Sequence, residues 1–302
     1  MSHPITWAQL KRVIDRAFGE DLMKEIHEYC FPKEMNLWGT LKDSHYEKKN
    51  LYLCVYKDHI HIGFMSLWER IKAWYGNSHK SLAHNVQCFR KVLGEWGKNQ
   101  IIHGNLADWK RISKGVKKVK ALSKVNLWMD STDYALKGKS RNLKKDPYWS
   151  FKCNSMGRRY QAIFDAAGTC RGLWGGYSPK IIDSTWIEVN KHTLSRDYSG
   201  STIIADGHYH ASRNLVDGIK FHAPVPKTVK KQTNNNDDNA VLTKEQQTLN
   251  KQIRNLRSRV ETPFGIIQNK FAALSKTFMD DANQLDNLVY FAFGFYNRFK
   301  GN

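Results

Sequence analysis

No stretch of this sequence is long and apolar enough to cross a bilayer. The most apolar run, Leu288 to Phe295 (LVYFAFGF), has eight residues, against about 20 for a spanning helix. The first residues, MSHPITWAQLKRVIDRAF, lack the apolar segment of a secretory signal, and Asp15 and Glu20 come early. Neither secretion nor membrane insertion is therefore expected. Cysteine is scarce: five in 302 residues, at 30, 54, 88, 153 and 170, with no C-x-x-C pair. Such an odd, scattered set argues against a disulfide scaffold and a zinc ribbon and fits a reducing compartment. Acidic residues are outnumbered, 28 Asp+Glu against 48 Lys+Arg, for a net charge of +20. That balance excludes an acidic, self-solvating chain and makes polyanions the first partners to consider. Core material is plentiful. At 41% hydrophobic and 12% aromatic the chain is not globally disordered, and its length suggests about two domains of ~150 residues.

The positive charge is uneven. From Arg111 to Arg159 there are 14 Lys/Arg and three acids, so 49 residues carry +11. The same segment holds Trp128, Tyr134, Tyr148, Trp149 and Phe151, and a basic surface interleaved with rings suits nucleic acid. A solvated face is the plainer explanation of part of that charge. Its candidate phosphate contacts are Arg111, Lys117, Lys118, Lys139, Arg141, Lys152, Arg158 and Arg159. Charge of this kind gives affinity without sequence preference.

Residues 1 to about 110 read as helical. Trp7, Leu10, Val13, Ile14, Ala17 and Phe18 fall at helical spacing. Two further periodic runs, Phe64 to Tyr75 and Leu82 to Trp96, flank the breaker Gly76-Asn77-Ser78. Helix, short turn, helix over about 64–96 is the geometry of a helix-turn-helix. Lys80, His84 and Asn85 would then face DNA; the plainer alternative is a helical hairpin with a wet polar face. Beyond a basic connector the pattern turns to strands: 125–129, 151–154, 160–164, 170–174 and 202–205. A polar stretch at about 227–243 is too poor in apolar residues to pack and reads as a mobile loop. Leu249, Ile253, Leu256, Val260, Phe264, Ile267, Phe271 and Leu274 then mark a long helix. Pro263 should kink it. The sequence thus predicts an α/β fold, a mixed sheet flanked by helices over 111–302 behind an all-α region over 1–110.

Three carboxylates stand out. Asp130 and Asp206 each follow a short apolar strand, and Glu261 lies on the long helix beside Val260. Anions gathered at one sheet edge repel: two charges 4 Å apart cost ~4 kcal/mol at an effective dielectric near 20. A divalent cation removes that cost, and oxygen-only ligands favour Mg²⁺ or Mn²⁺. In so basic a protein the arrangement predicts two-metal phosphodiester chemistry. Each carboxylate also has a plainer reading. Asp133 competes with Asp130, Asp183 could cap a helix, Glu261 could simply pair with Arg257 four residues earlier, and Asp165 reads as a hairpin-turn residue. His59-x-His61 and His208-x-His210 lack third ligands nearby in sequence.

The local wording from about Val125 to Ser275 resembles the endonuclease domain of PIF/Harbinger-type DDE transposases, relatives of a group of bacterial insertion-sequence transposases. Leu127-Trp128-Met129-Asp130-Ser131-Thr132 is similar to that family's hydrophobic strand ending in Asp-Gly-Thr. Tyr148 to Lys152 (YWSFK) resembles its Tyr-x-Ser-x-Lys strand, and Phe164 to Gly168 (FDAAG) its Asp-x-x-Gly hairpin. Ile203 to Tyr209 (IIADGHY) resembles the strand presenting the second Asp, and Arg257 to Gly265 (RSRVETPFG) the helix carrying the Glu. Ser131 replaces a usual Gly, His208 interrupts the run before Tyr209, residues 174–180 replace a Pro-Gly-Ser turn, and Pro263 stands beside Glu261.

The resemblance implies an RNase H-like fold with a triad of Asp130, Asp206 and Glu261 binding two Mg²⁺ or Mn²⁺ ions, and DNA contacts that include Arg257. It implies cleavage of double-stranded DNA at transposon ends and joining of the 3′-OH to target DNA. A homodimer, a separately encoded Myb-like DNA-binding partner, and nuclear location in a eukaryote (otherwise cytoplasm) are further implications. Two rivals remain: a domesticated, non-catalytic DNA-binding protein, and an RNase H-like nuclease acting on RNA.

Overall fold

The computed structural model describes residues 4–30, 44–76, 78–116, 118, 120–138, 145–212, 214–226 and 242–300. The polar loop expected at 227–243 lies outside them, except for its last two residues, and so do Lys117, Lys139 and Arg141. No helix of the described residues is long and apolar enough to cross a membrane. Secondary structure is mixed α/β, and the chain forms two compact units interleaved in sequence: 1–101, 133–158 and 265–302 in one, 102–132 and 159–264 in the other. Strands β1 (Leu127–Ala135) and β3 (Ser155–Asp165) and helix α9 (Lys244–Lys270) each begin in one unit and end in the other.

The first unit is largely helical: α1 (Trp7–Phe18), α2 (Glu20–Cys30), α3 (Ser44–Ile60), α4 (Phe64–Tyr75) and α5 (His79–Asn99), with α10 (Ala272–Ser275) and α11 (Ala282–Lys300). Thr6 opens α1 with a capping box to Gln9, so two otherwise orphaned donors are satisfied. Ser78 caps α5 through its hydroxyl, which accepts from the Ser81 amide at 3.2 Å, so the turn predicted between α4 and α5 is present. Helix α5 packs deeply on α11 at glycines. A Cβ on Gly97 would fall 2.2 Å from the Tyr290 carbonyl oxygen, and one on Gly294 would fall 2.4 Å from the Gly97 Cα. Only bare backbone permits that approach.

Arg90 of α5 is fully buried, with two guanidinium nitrogens on Asp58 at 2.6 and 2.9 Å and a third on Asp280 at 2.8 Å. Such a cluster holds only because every charge is paired. Strand β2 (Trp149–Ser150) pairs antiparallel with the start of β3. It ends before 151–154, where the sequence predicts a strand; those residues form a turn, with Asn154 at φ +48°.

The second unit is built on a mixed sheet. β4 (Cys170–Tyr177) pairs antiparallel with β3; β1 lies next to β3 and pairs parallel with β5 (Thr202–Ile204), which pairs parallel with β6 (Lys220–His222). Leu127, Met129 and Ile203 are buried with Trp186, Leu194 and Tyr198, against which α6 (Leu106–Ser113), α7 (Asp183–Val189) and α8 (Lys191–Tyr198) pack. Trp109 stacks on Tyr198 at 5.4 Å. The Trp128 indole donates to the Leu256 carbonyl at 2.9 Å. That bond ties α9 to the middle of the sheet. Helix α9 runs on through Pro263, although proline lacks the N–H that would bond four residues back.

Candidate active site

Asp130 is the fourth residue of β1 and is 8% exposed; Asp206 lies two residues past the end of β5. Because β1 and β5 are parallel neighbours, with Trp128 opposite Ile204, both carboxylates emerge toward the same end of the sheet. Tyr209 sits in the 3-10 turn Gly207–Ser212, and its amide donates to the Asp206 carbonyl at 3.2 Å. Its phenol is pushed well above its ordinary value, first by burial and then by Asp183, Asp130 and Asp206. Those anions keep the proton on Tyr209, and the hydroxyl donates to the Gln161 Oε1. Gln161 in turn donates to Asp183 at 2.7 Å. Asp183 therefore does not cap α7, as the sequence suggests: Ile182 occupies the cap position, and the Asp183 carboxylate is 5% exposed and bonded to Gln161.

Glu261 stands on α9, one residue past the fully buried Val260, with its side chain 59% exposed. Arg257, one turn earlier, joins it to Asp130. One guanidinium nitrogen donates to Asp130 Oδ2 at 2.8 Å and another to Glu261 Oε1 at 3.0 Å. Asp130 Oδ1 accepts the Ser131 amide at 2.8 Å, and Asp206 Oδ1 accepts the His208 amide at 2.7 Å. A cavity of about 530 Å³ is lined by Asp206, His208, Val225, Arg254 and Arg257. Asn250 of α9 holds its wall, exchanging two hydrogen bonds of 2.8 and 2.9 Å with the Val225 backbone.

The donor chemistry suits a hard divalent cation, since the three groups offer only carboxylate oxygen. Their placement does not gather them: among the described residues no three His, Cys, Asp or Glu side chains form a ligand set. Arg257 supplies the positive charge between two of the three.

The other sequence candidates fall in several settings. Lys80 and His84 are exposed on α5, whereas the Asn85 amide turns inward to the Tyr75 hydroxyl at 3.1 Å. Arg111 is exposed and paired with Asp108. Lys118 is half-buried, bonded to the Val125 carbonyl. Lys152 is exposed in the turn after β2, Arg158 pairs with Asp286 at 3.3 Å, and Arg159 donates to the Ile181 carbonyl at 3.1 Å. Asp133 accepts from the Ser150 hydroxyl at 2.7 Å. Asp165 is the hairpin-turn residue, accepting the Ala167 and Thr169 amides and pairing with Arg171. His59 bonds to the Lys270 carbonyl.

Gln161 and Arg254 escaped the sequence reading. Gln161 interrupts the apolar run 160–164 (YQAIF), and that was the available signal. Arg254 precedes Arg257 by one turn, on the same face of α9.

A mixed sheet carrying one aspartate within β1 and another just past its parallel neighbour β5, with the helix that bears Glu261 packed on the sheet, is a nuclease-like arrangement. The chain belongs to the DDE superfamily endonuclease family, whose model matches residues 129–297 and so includes Asp130, Asp206 and Glu261. No curated protein and no solved structure matches the chain.

Proposed function

We propose that the protein is a DDE transposase that cuts phosphodiester bonds at transposon ends and joins the freed 3′-OH to target DNA. One observation carries this reading: Asp130 and Asp206 emerge toward the same end of the parallel neighbours β1 and β5, inside the segment the endonuclease family matches. The sheet order β4-β3-β1-β5-β6 supports an RNase H-like core.

Asp130, Asp206 and Glu261 would hold Mg²⁺ or Mn²⁺, which when bound activates the attacking oxygen and stabilises the leaving one. Arg257 pairs with Asp130 and Glu261 here, and would have to yield them to a bound cation. Tyr209, Gln161 and Asp183 form a buried hydrogen-bonded group, joined to Asp206 through the bond from the Tyr209 amide to its carbonyl. Arg254 and Arg257 present guanidinium groups at the cavity, suited to a scissile phosphate. The PIF/Harbinger subtype, a dimer holding two ends, a Myb-like partner, a nuclear site of action and DNA reading by α4–α5 belong to the same proposal.

The test is incubation with duplex DNA carrying the flanking element ends, with and without Mg²⁺, followed by nick mapping. Metal-dependent nicks at the element boundary are expected. Cleavage of RNA alone would replace DNA as the substrate, and metal binding without nicking of either would leave a non-catalytic binding protein.

A further inference from the structure

A second concave site lies away from the carboxylates, at the opposite end of the same strands. Its cavity of about 580 Å³ is lined by Lys110, Lys114, Lys118 and Lys124, with Ser113 and Ser123 between them. Thr202, the first residue of β5, lines it too, and Val125, just before β1, anchors Lys118 through its carbonyl. Asp130 and Asp206 lie further along β1 and beyond β5. The two cavities share no lining residue, so the lysine cavity is separate from the one that Asp206 and Arg257 line.

Four ammonium groups around one hollow repel unless an anion joins them. No carboxylate lines the cavity, and none of the four lysines makes an ion pair among the described residues. Lys118 is half-buried among them, and its ammonium is pushed below its ordinary value, first by that burial and then by Arg259. The C-terminus of α6, beside Lys110 and Lys114, supplies only about half a negative charge. That leaves most of the positive charge unmatched. The hydroxyl of Ser123 donates to the Lys120 carbonyl and that of Ser113 to the Lys110 carbonyl, so both side chains are ordered at the rim.

We propose that this lysine cleft binds consecutive phosphates of a nucleic-acid strand, as a contact separate from the carboxylate site. Hard, flexible ammonium groups without a fixed fork suit backbone phosphates in several registers more than one bidentate anion. The identification of the strand as DNA rests on the function proposed above; the phosphate chemistry does not.

The test uses the full chain in EDTA, so that cleavage does not consume the probe. Anisotropy of a labelled duplex is titrated across a salt series for the wild type, Lys114→Gln/Lys124→Gln and Lys114→Glu/Lys124→Glu. Removing two phosphate contacts should flatten the log–log salt slope by roughly 1.8. The wild type then loses roughly tenfold more affinity than the Gln pair between 50 and 200 mM salt. The Gln pair keeps the test readable if the Glu pair fails to fold. Calorimetry with tripolyphosphate distinguishes the source of the phosphate. Loss of tripolyphosphate binding in the variants with unchanged duplex titrations would overturn the nucleic-acid assignment in favour of a free polyphosphate. Identical slopes and identical tripolyphosphate binding in all three proteins would overturn the site altogether. Failure of the proposed cleavage, by contrast, leaves these titrations untouched.

Discussion

The Arg257 guanidinium lies 2.8 Å from the Asp130 carboxylate, and the same side chain reaches Glu261. A carboxylate 8% exposed within a buried strand needs a positive partner, and here the partner is internal. The candidate active site is thus already neutralised in part, by a side chain on the helix that carries its third acid.

Replacement of Arg257 by Gln should therefore strengthen metal binding. The variant removes the competing cation and leaves the carboxylates in place. Calorimetric titration with Mn²⁺ should give tighter binding than the wild type. Unchanged Mn²⁺ affinity would show that Arg257 does not occupy the cation's position.

Tyr209→Phe tests the buried hydrogen-bonded group. The variant deletes the hydroxyl that donates to Gln161, which is itself fully buried. An unsatisfied buried acceptor costs about 1–3 kcal/mol, so urea unfolding should shift by that amount. Gln161→Leu removes the stranded acceptor as well, and the double variant should lose less than the two single losses added together.

Arg90 is the corresponding point of failure in the helical unit. Arg90→Ala leaves Asp58 and Asp280 buried beside a single cation, Lys57. Breaking such a cluster costs about 3–5 kcal/mol, visible as a lower urea midpoint with little change in slope. A loss below 1 kcal/mol would mean that water reaches the cluster.

Acid should undo the same cluster. Burial alone would raise the Asp280 carboxyl, but Lys57 and Arg90 outweigh it and hold it below its ordinary value of 3.8. The folded state then binds fewer protons than the unfolded chain near that pH. The stabilisation is present above the unfolded value and is lost as pH falls through the depressed folded one. Asp280→Asn should be less stable at neutral pH, and its stability should fall less steeply below pH 4.

Much of this fold was legible in the sequence. The helical period predicted α1, α4, α5 and α9, and short apolar runs predicted the positions of β1, β3, β4 and β5, because burial imposes those patterns directly. Three carboxylates stood out by position, after short apolar runs or beside a buried helical stripe, although β1 runs on through Asp130 to Ala135. Their hydrogen-bond partners were not legible. Arg257 is one of many basic residues, and only the packing of α9 on Trp128 brings it to Asp130. Asp183 looked like a cap because Asp before a short helix usually is one, yet the sheet delivers Gln161 to it instead. The interleaving of the two units was invisible for a similar reason: it arises where single strands and one helix continue past a boundary that composition marks elsewhere.

The central claim, that these carboxylates perform phosphodiester chemistry on DNA, rests most directly on Asp206. It belongs to no ion pair among the described residues, so Asp206→Ala removes a proposed ligand without freeing a buried cation. Wild-type protein and the variant should be compared for Mg²⁺-dependent nicking of element-end duplex, with duplex affinity measured in parallel. The account predicts that nicking disappears while affinity stays within a few-fold. Equal nicking by both proteins would contradict it.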